Sequence, residues 1–210
     1  MPIELLFFLG VLIASVVLHE VAHGYMANYL GDPTARLEGR LTLNPVSHID
    51  PVGTVLLPAI LLLTSPILIG YAKPVPYNPY NLRGRYGEAL VAFAGPGTNI
   101  VLALIFGLSI RFFGGAIDPS LVDAFNVIVL INIVLALFNL IPIPPLDGSK
   151  LLSALLPGAL GAAYDRFRMS MEQLGVLGGT FVLLLLFYFL SPYFSFISRG
   201  VFQLLTGGPI

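Results

Sequence analysis

The sequence predicts an all-α membrane protein, a multi-pass helical bundle of four to six membrane segments, and three observations carry that expectation. Hydrophobic residues make up 57% of the 210-residue chain and charged residues only 10%, against roughly 25% charged in a soluble domain. Mean hydropathy is +0.91. The apolar residues are gathered into five stretches, each close to the roughly 20 residues that a helix needs to cross a hydrocarbon core of about 30 Å.

The first stretch, Ile3 to Leu30, is interrupted by the charges of HEVAH. It has neither a basic start nor a small-residue cleavage site, so it is expected to be a retained helix rather than a removable signal. Val52 to Ala72 is the second. Pro58 and Pro66 each remove a backbone donor inside it, as a segment that enters and leaves on one face would tolerate; a proline-kinked full crossing is the alternative. Ala89 to Ile110 and Ala124 to Ile143 follow as plain apolar runs, and about Leu174 to Leu190 forms an additional C-terminal membrane helix. Tyr193 to Leu205 contains Arg199 and is expected to lie along an interface rather than cross. With no long polar insertion, repeat or low-complexity tract, residues 1–210 form a single membrane-embedded domain.

Orientation follows from the basic residues. If all five stretches cross, Lys and Arg divide six to four between the two sides; if 52–72 is re-entrant, Arg36 and Arg40 change sides and the division becomes eight to two. The second topology, in a cell membrane with both termini outside, agrees better with the excess of positive charge in cytoplasmic loops.

Ten basic and eleven acidic residues leave a net charge of -1, which excludes the basic footprint of a nucleic-acid-binding protein. The chain has no cysteine, so thiol catalysis, disulfides and cysteine-ligated zinc are excluded, and His, Asp and Glu remain as strong metal ligands.

Three such residues stand together where a lipid-facing helix would carry none. His19 and His23 are four residues apart, on one face of a helix and one turn from each other, near enough to bind one zinc ion. Glu20 is offset around the helix. In this H-E-x-x-H arrangement the ion acidifies a water and polarises a carbonyl while the glutamate moves the proton, a chemistry that suits peptide hydrolysis. The competing reading is a pair of buried histidines satisfied by hydrogen bonds, with Glu20 as counter-ion. A charge at the centre of a membrane helix costs at least about 2.5 kcal/mol, so three ionisable groups together require a compensating partner.

A catalytic zinc keeps three protein ligands and one open position. Asp147 is the first candidate for the third ligand, because Pro142, Pro144 and Pro145 end the apolar helix before it and Gly148 permits a tight turn. Its alternative role is to cap the helix over Ser149 to Leu156. His48 and Asp50, in the turn-rich LNPVSHIDPVG, are further candidates, whereas Glu38 sits beside Arg36 and Arg40 and suits a solvated ion pair. At 1.5 Å per residue from Glu4, His19 lies about 22 Å along the first helix, roughly 8 Å short of the far face. In the re-entrant topology the end of the Ala124 helix reaches the same cytoplasmic side.

HEVAHG at 19–24, AGPGTN at 94–99 and NLIPIPPLDG at 139–148 resemble the three signatures of the site-2 protease family of intramembrane zinc metalloproteases. The similarity covers residues 16 to about 150, and 31–54 and 71–79 resemble one of the family's subgroups. It implies one zinc ion on His19, His23 and Asp147, with Glu20 as general base and acid, in a catalytic core of about residues 4–150. It also implies that Asn99 is near the site. There its amide either holds substrate backbone or the developing oxyanion, or makes a polar contact between helices that Gly95 and Gly97 allow to approach. His48 and Asp50 receive no role. The compact form expected here lacks the PDZ and CBS modules that other members carry, and its partners are the lipid bilayer and a membrane-protein substrate, with a single-span helix the natural case. A non-proteolytic membrane scaffold or chaperone with a structural metal is the alternative function. A metal transporter is a weaker rival, since the later helices lack a path of ionisable residues.

Overall fold

The computed structural model describes residues 2–56 and 72–208, and every regular element among them is helical. Four helices are long and apolar enough to cross a membrane: Ile3–Tyr29, Gly87–Ala116, Pro119–Asn139 and Phe181–Thr206. The crossing or re-entry expected for 52–72 lies outside the described residues, apart from a short helical turn at Pro51–Leu56.

Helix α1 (Pro2–Tyr29) is apolar around its whole circumference in its first half, where Ile3, Leu5 and Leu6 are exposed, as a lipid-facing surface requires. It stops because Gly31 takes a left-handed φ of 109°. The Gly31 N–H then donates to the Asn28 carbonyl at 3.2 Å and the Asp32 N–H to the Ala27 carbonyl at 2.9 Å, closing the last turn in a Schellman motif. A one-turn helix, α2 (Thr34–Leu37), follows, and an irregular segment at 72–78 leads to a turn at Pro79–Asn81.

Helices α3 (Gly87–Phe113) and α4 (Pro119–Asn139) form the centre of the bundle, with α1 packed against both. Asp118 caps α4, its carboxylate accepting the Ser120 N–H at 2.9 Å, and Pro119 occupies the first helical position, where no backbone donor is lost. The prolines at 142, 144 and 145 prevent α4 from continuing. Helix α5 (Asp147–Leu155) starts immediately beyond them, and a Cβ at Gly148 would run into the Leu140 carbonyl oxygen. Only glycine lets α5 begin this close to the end of α4.

Helix α6 (Gly158–Glu172) leads to α7 (Gly175–Thr206), a single 32-residue helix. Here the structure corrects the sequence reading: Tyr193 to Leu205 is not a separate interfacial piece but the second half of the helix that was expected to end at Leu190. Pro192 sits inside it, and a membrane helix absorbs such a break through local adjustment and neighbouring contacts. Phe202 anchors that half. It is 2% exposed and packs against Ala103 of α3 and Val129 and Ile133 of α4. Phe202→Ala is expected to destabilise the fold by about 3–5 kcal/mol through the cavity it leaves, read as a lowered unfolding temperature in detergent.

Candidate active site

The second half of α1 turns inward. His19 and His23 are buried, and their rings meet edge to face with centroids 4.7 Å apart. Asp147, the first residue of α5, reaches them from a segment 128 positions away from His19 in sequence. His19 Nε2 and His23 Nε2 are 3.0 Å apart, and Asp147 Oδ2 is 3.2 Å from the first and 3.3 Å from the second. Among the described residues this is the cluster of three that could hold a metal ion. A tetrahedral ion with ligand bonds of about 2.0 Å sets its ligand atoms about 3.3 Å apart, so the donor set fits zinc in chemistry and in spacing. The capping role for Asp147 is not realised: the cap position is Leu146, with no side-chain cap hydrogen bond, and the carboxylate turns to the imidazoles.

Each imidazole is oriented from behind. His19 Nδ1 is 2.6 Å from Asn99 Oδ1 and His23 Nδ1 is 2.7 Å from the Val91 carbonyl oxygen. With oxygen acceptors there, both Nδ1 atoms carry the proton and both Nε2 lone pairs face the cluster. Asn99 is fully buried, and its Nδ2 donates to Asn132 Oδ1 at 2.8 Å, a polar contact between helices of the kind that was one of the two expectations for it.

Glu20, beside His19, lines a cavity of about 710 Å³ that also contains the three clustered residues. Its Oε2 accepts the Val75 N–H at 3.0 Å. The segment carrying Val75 is held on both sides. Lys73 N–H donates to the His48 carbonyl at 2.9 Å and Arg40 Nη2 to the Lys73 carbonyl at 3.0 Å. Beyond it, Asp32 accepts the Asn78 N–H at 2.7 Å and Asn81 Nδ2 at 2.9 Å.

Burial acts to raise the Asp32 carboxyl, but hydrogen bonds from Thr34, Asn81 and Asn78 outweigh it and hold the group below the usual carboxylate range. A lowered folded value means that this tether is present above the unfolded value, near 3.9, and is lost as pH falls through the lower folded one. Asp32→Asn is expected to loosen the segment near neutral pH, measured as faster amide exchange at Val75 and Asn78 with α3 and α4 unchanged.

His48 and Asp50 are not brought to the cluster. His48 is buried with Nε2 2.9 Å from the Thr42 carbonyl. Asp50 accepts the Gly53 N–H at 2.7 Å and borders the cavity. The sequence reading missed Lys150 and Tyr77, which also line the cavity, with the Lys150 ammonium 5.1 Å from the Tyr77 ring centre. Burial acts to lower Lys150, but the Tyr77 phenol and the carboxylates of Asp147 and Glu88 outweigh it and raise it. Asn132 was missed as well, although an amide in the middle of the apolar α4, within the otherwise unbroken apolar run between Asn126 and Asn139, is a signal in its own right.

Fold and donor set together define a class: a multi-pass helical membrane protein with a candidate metal centre. A family model for peptidase family M50 matches residues 109–186, which include Asp147. "Putative zinc metalloprotease YwhC" of Bacillus subtilis is 39% identical over 170 residues, covering 77% of this chain and 74% of the relative. "Putative zinc metalloprotease Rip2" of Mycolicibacterium smegmatis is 31% identical over 138 residues, 64% of this chain and 51% of the relative. "Zinc metalloprotease MJ0392" of Methanocaldococcus jannaschii is 27% identical over 150 residues, 71% of this chain and 34% of the relative. The chain thus spans about three quarters of the first of these, half of the second and a third of the last. No solved structure matches to significance. The chain belongs to peptidase family M50, the zinc metallopeptidases of the membrane that its motifs resemble.

Proposed function

We propose that this protein cleaves peptide bonds within or beside transmembrane segments of other membrane proteins, with His19, His23 and Asp147 as zinc ligands and Glu20 as general base and acid. The observation that carries the reading is the approach of the three donor atoms to 3.0–3.3 Å of one another, in a cavity that Glu20 shares. Zinc, when bound, supplies Lewis acidity toward a water and toward the scissile carbonyl.

The side chains of this chain do the rest. His19 and His23 present Nε2 because Asn99 and the Val91 carbonyl occupy their Nδ1 protons. Glu20 accepts a proton from the attacking water and returns it to the departing amine. The Val75 N–H fixes one carboxylate oxygen during this exchange. Val75, Tyr77, Leu135 and Leu183 help to give the cavity an apolar wall suited to a lipid-embedded chain.

A membrane helix has every backbone group paired within itself, so its carbonyls become reachable only where a turn unwinds. Substrates with helix-weakening residues near the cut are therefore preferred. Pro74, Val75 and Tyr77 of the proline-containing segment 73–79, with Pro144 and Pro145, line the cavity, and backbone pairing to an unwound substrate strand there is the mode favoured. The test is incubation of the detergent-purified protein with single-span peptides that differ only in a central Gly-Pro or Leu-Leu pair. Preferential cleavage of the Gly-Pro peptide, within the span, is expected. Equal cleavage of both, or cleavage of soluble peptides alone, contradicts the reading.

The centre faces the cytoplasm in this reading, supported by the eight-to-two division of Lys and Arg when 52–72 stays on one side. Because the chain has no cysteine, single cysteines at Ser120 and Arg166 report orientation without background. An impermeant thiol reagent applied from outside is expected to label position 120 and to spare position 166.

A further inference from the structure

Behind His19 runs a chain of buried polar side chains that belongs to three helices. Asn99 of α3 offers Oδ1 to His19 and its Nδ2 to Asn132 Oδ1 of α4 at 2.8 Å. Asn132 in turn donates from Nδ2 to Ser15 Oγ of α1 at 3.0 Å and to the carbonyl of Ile128, one turn earlier in its own helix, at 2.9 Å. Asn99 and Asn132 are both fully buried. A carboxamide has two ends of almost identical shape and opposite hydrogen-bonding sense, so such a chain functions only if something fixes which end faces where.

The Ile128 carbonyl supplies that direction. It can only accept, so the Asn132 amide must present NH₂ to it and oxygen to Asn99. Asn99 must then present NH₂ to Asn132 and oxygen to His19. His19 must answer with Nδ1–H, which leaves the Nε2 lone pair toward His23 and Asp147. Among the described residues, the other acceptor that the Asn99 amide group meets is the Ser15 carbonyl at 3.5 Å, at the outer limit of a hydrogen bond and too distant to fix the amide alone. His23 needs no such relay, because its Nδ1 meets a backbone carbonyl directly.

We propose that Asn132 is a positioning residue of the metal centre. Through Asn99 it selects the tautomer of His19, and so carries the polarity of the α4 backbone across the bundle to one ligand and not the other. A flipped Asn99 would turn its NH₂ to His19 and select the Nε2–H form, whose remaining lone pair points away from the cluster. The proposal rests on the reading of His19 as a zinc ligand.

The test uses the full chain in detergent, labelled with ¹⁵N in its three histidines. Zinc affinity is measured by chelator competition and the imidazole Nδ1–H protons by their exchange protection in the zinc-loaded protein. Asn132→Leu, close in shape but without donor or acceptor, is expected to lower zinc affinity about 10- to 100-fold, the usual effect of losing an outer-shell partner. It is also expected to abolish protection of the His19 Nδ1–H while the His23 Nδ1–H, on the Val91 carbonyl, stays protected. Val129→Ala, a packing change one turn away at another fully buried residue, is expected to lower thermal stability and leave zinc affinity within twofold.

If Asn132→Leu gives no folded protein, Asn132→Ser, too short to reach Asn99, is judged by the same criteria. Zinc affinity within twofold of wild type with His19 protection intact, or an equal loss in Val129→Ala, overturns the proposal. His19→Ala separates the two levels. If it keeps wild-type zinc affinity, the ligand assignment itself falls; if it loses zinc while Asn132→Leu does not, only the relay falls.

Discussion

Glu20→Gln is expected to retain stoichiometric zinc and to lower peptide cleavage by about 100- to 10,000-fold, the range for loss of a positioned general base. The substitution is nearly isosteric, and the new amide oxygen can still accept the Val75 N–H that Glu20 Oε2 accepts at 3.0 Å. The 72–78 segment therefore stays where it is, as do the cluster residues His19, His23 and Asp147. What disappears is the capacity to take a proton from water and return it to the leaving amine. Metal analysis of the purified variant, set beside cleavage of a single-span peptide, measures both quantities. Cleavage within threefold of wild type would move the base to another residue. Loss of zinc together with activity would make Glu20 a structural neighbour of the site.

The second large effect is expected from the smallest substitution. A Cβ on Gly95 would stand 2.6 Å from His19 Nε2 and closer still to His23 Nε2, on the face of the imidazoles where the donor atoms converge. Neither ring can retreat easily, since each is tied through Nδ1 to α3 itself, at Asn99 and Val91. Gly95→Ala is expected to weaken zinc binding by about 100-fold, the upper end of the effect of removing a ligand's outer-shell support, and to abolish cleavage. Alanine is the better helix former by about 1 kcal/mol, so α3 itself should stay helical and the helical signal of the metal-free protein should persist. Gly97→Ala is the control. The nearest atoms to its Cβ would be those of the Phe93 ring, at 3.2 Å, and zinc binding close to wild type is expected. Equal behaviour of the two variants would mean that Gly95 serves helix packing and not the donor cluster.

The parts of the site that were legible in the sequence are those set by local geometry. His19, Glu20 and His23 follow from helical spacing, and Asp147 from the prolines that end one helix immediately before it. The parts that were not legible depend on contacts between helices. Asn99 came from the family resemblance, and the direction of its amide is decided by Asn132 and by the carbonyl of Ile128, neither of which local pattern connects to it. The Val75 N–H on Glu20 is a backbone contact, invisible to side-chain chemistry. Tyr193 to Leu205 was misjudged because Arg199 suggested an interfacial segment. Packing of Phe202 against Ala103, Val129 and Ile133 gives that half of α7 a reason to continue. His48 was a fair ligand candidate by residue type, but its Nε2 hydrogen bond to the Thr42 carbonyl commits it to its own turn.

Everything turns on whether a single ion joins α1 to α5. Anomalous diffraction at the zinc absorption edge, from crystals of the full chain, locates that ion without reference to activity. One peak per chain within about 2.0–2.2 Å of His19 Nε2, His23 Nε2 and an Asp147 carboxylate oxygen is the predicted result. A zinc peak elsewhere in the chain, or none between these three side chains at saturating zinc, contradicts the account.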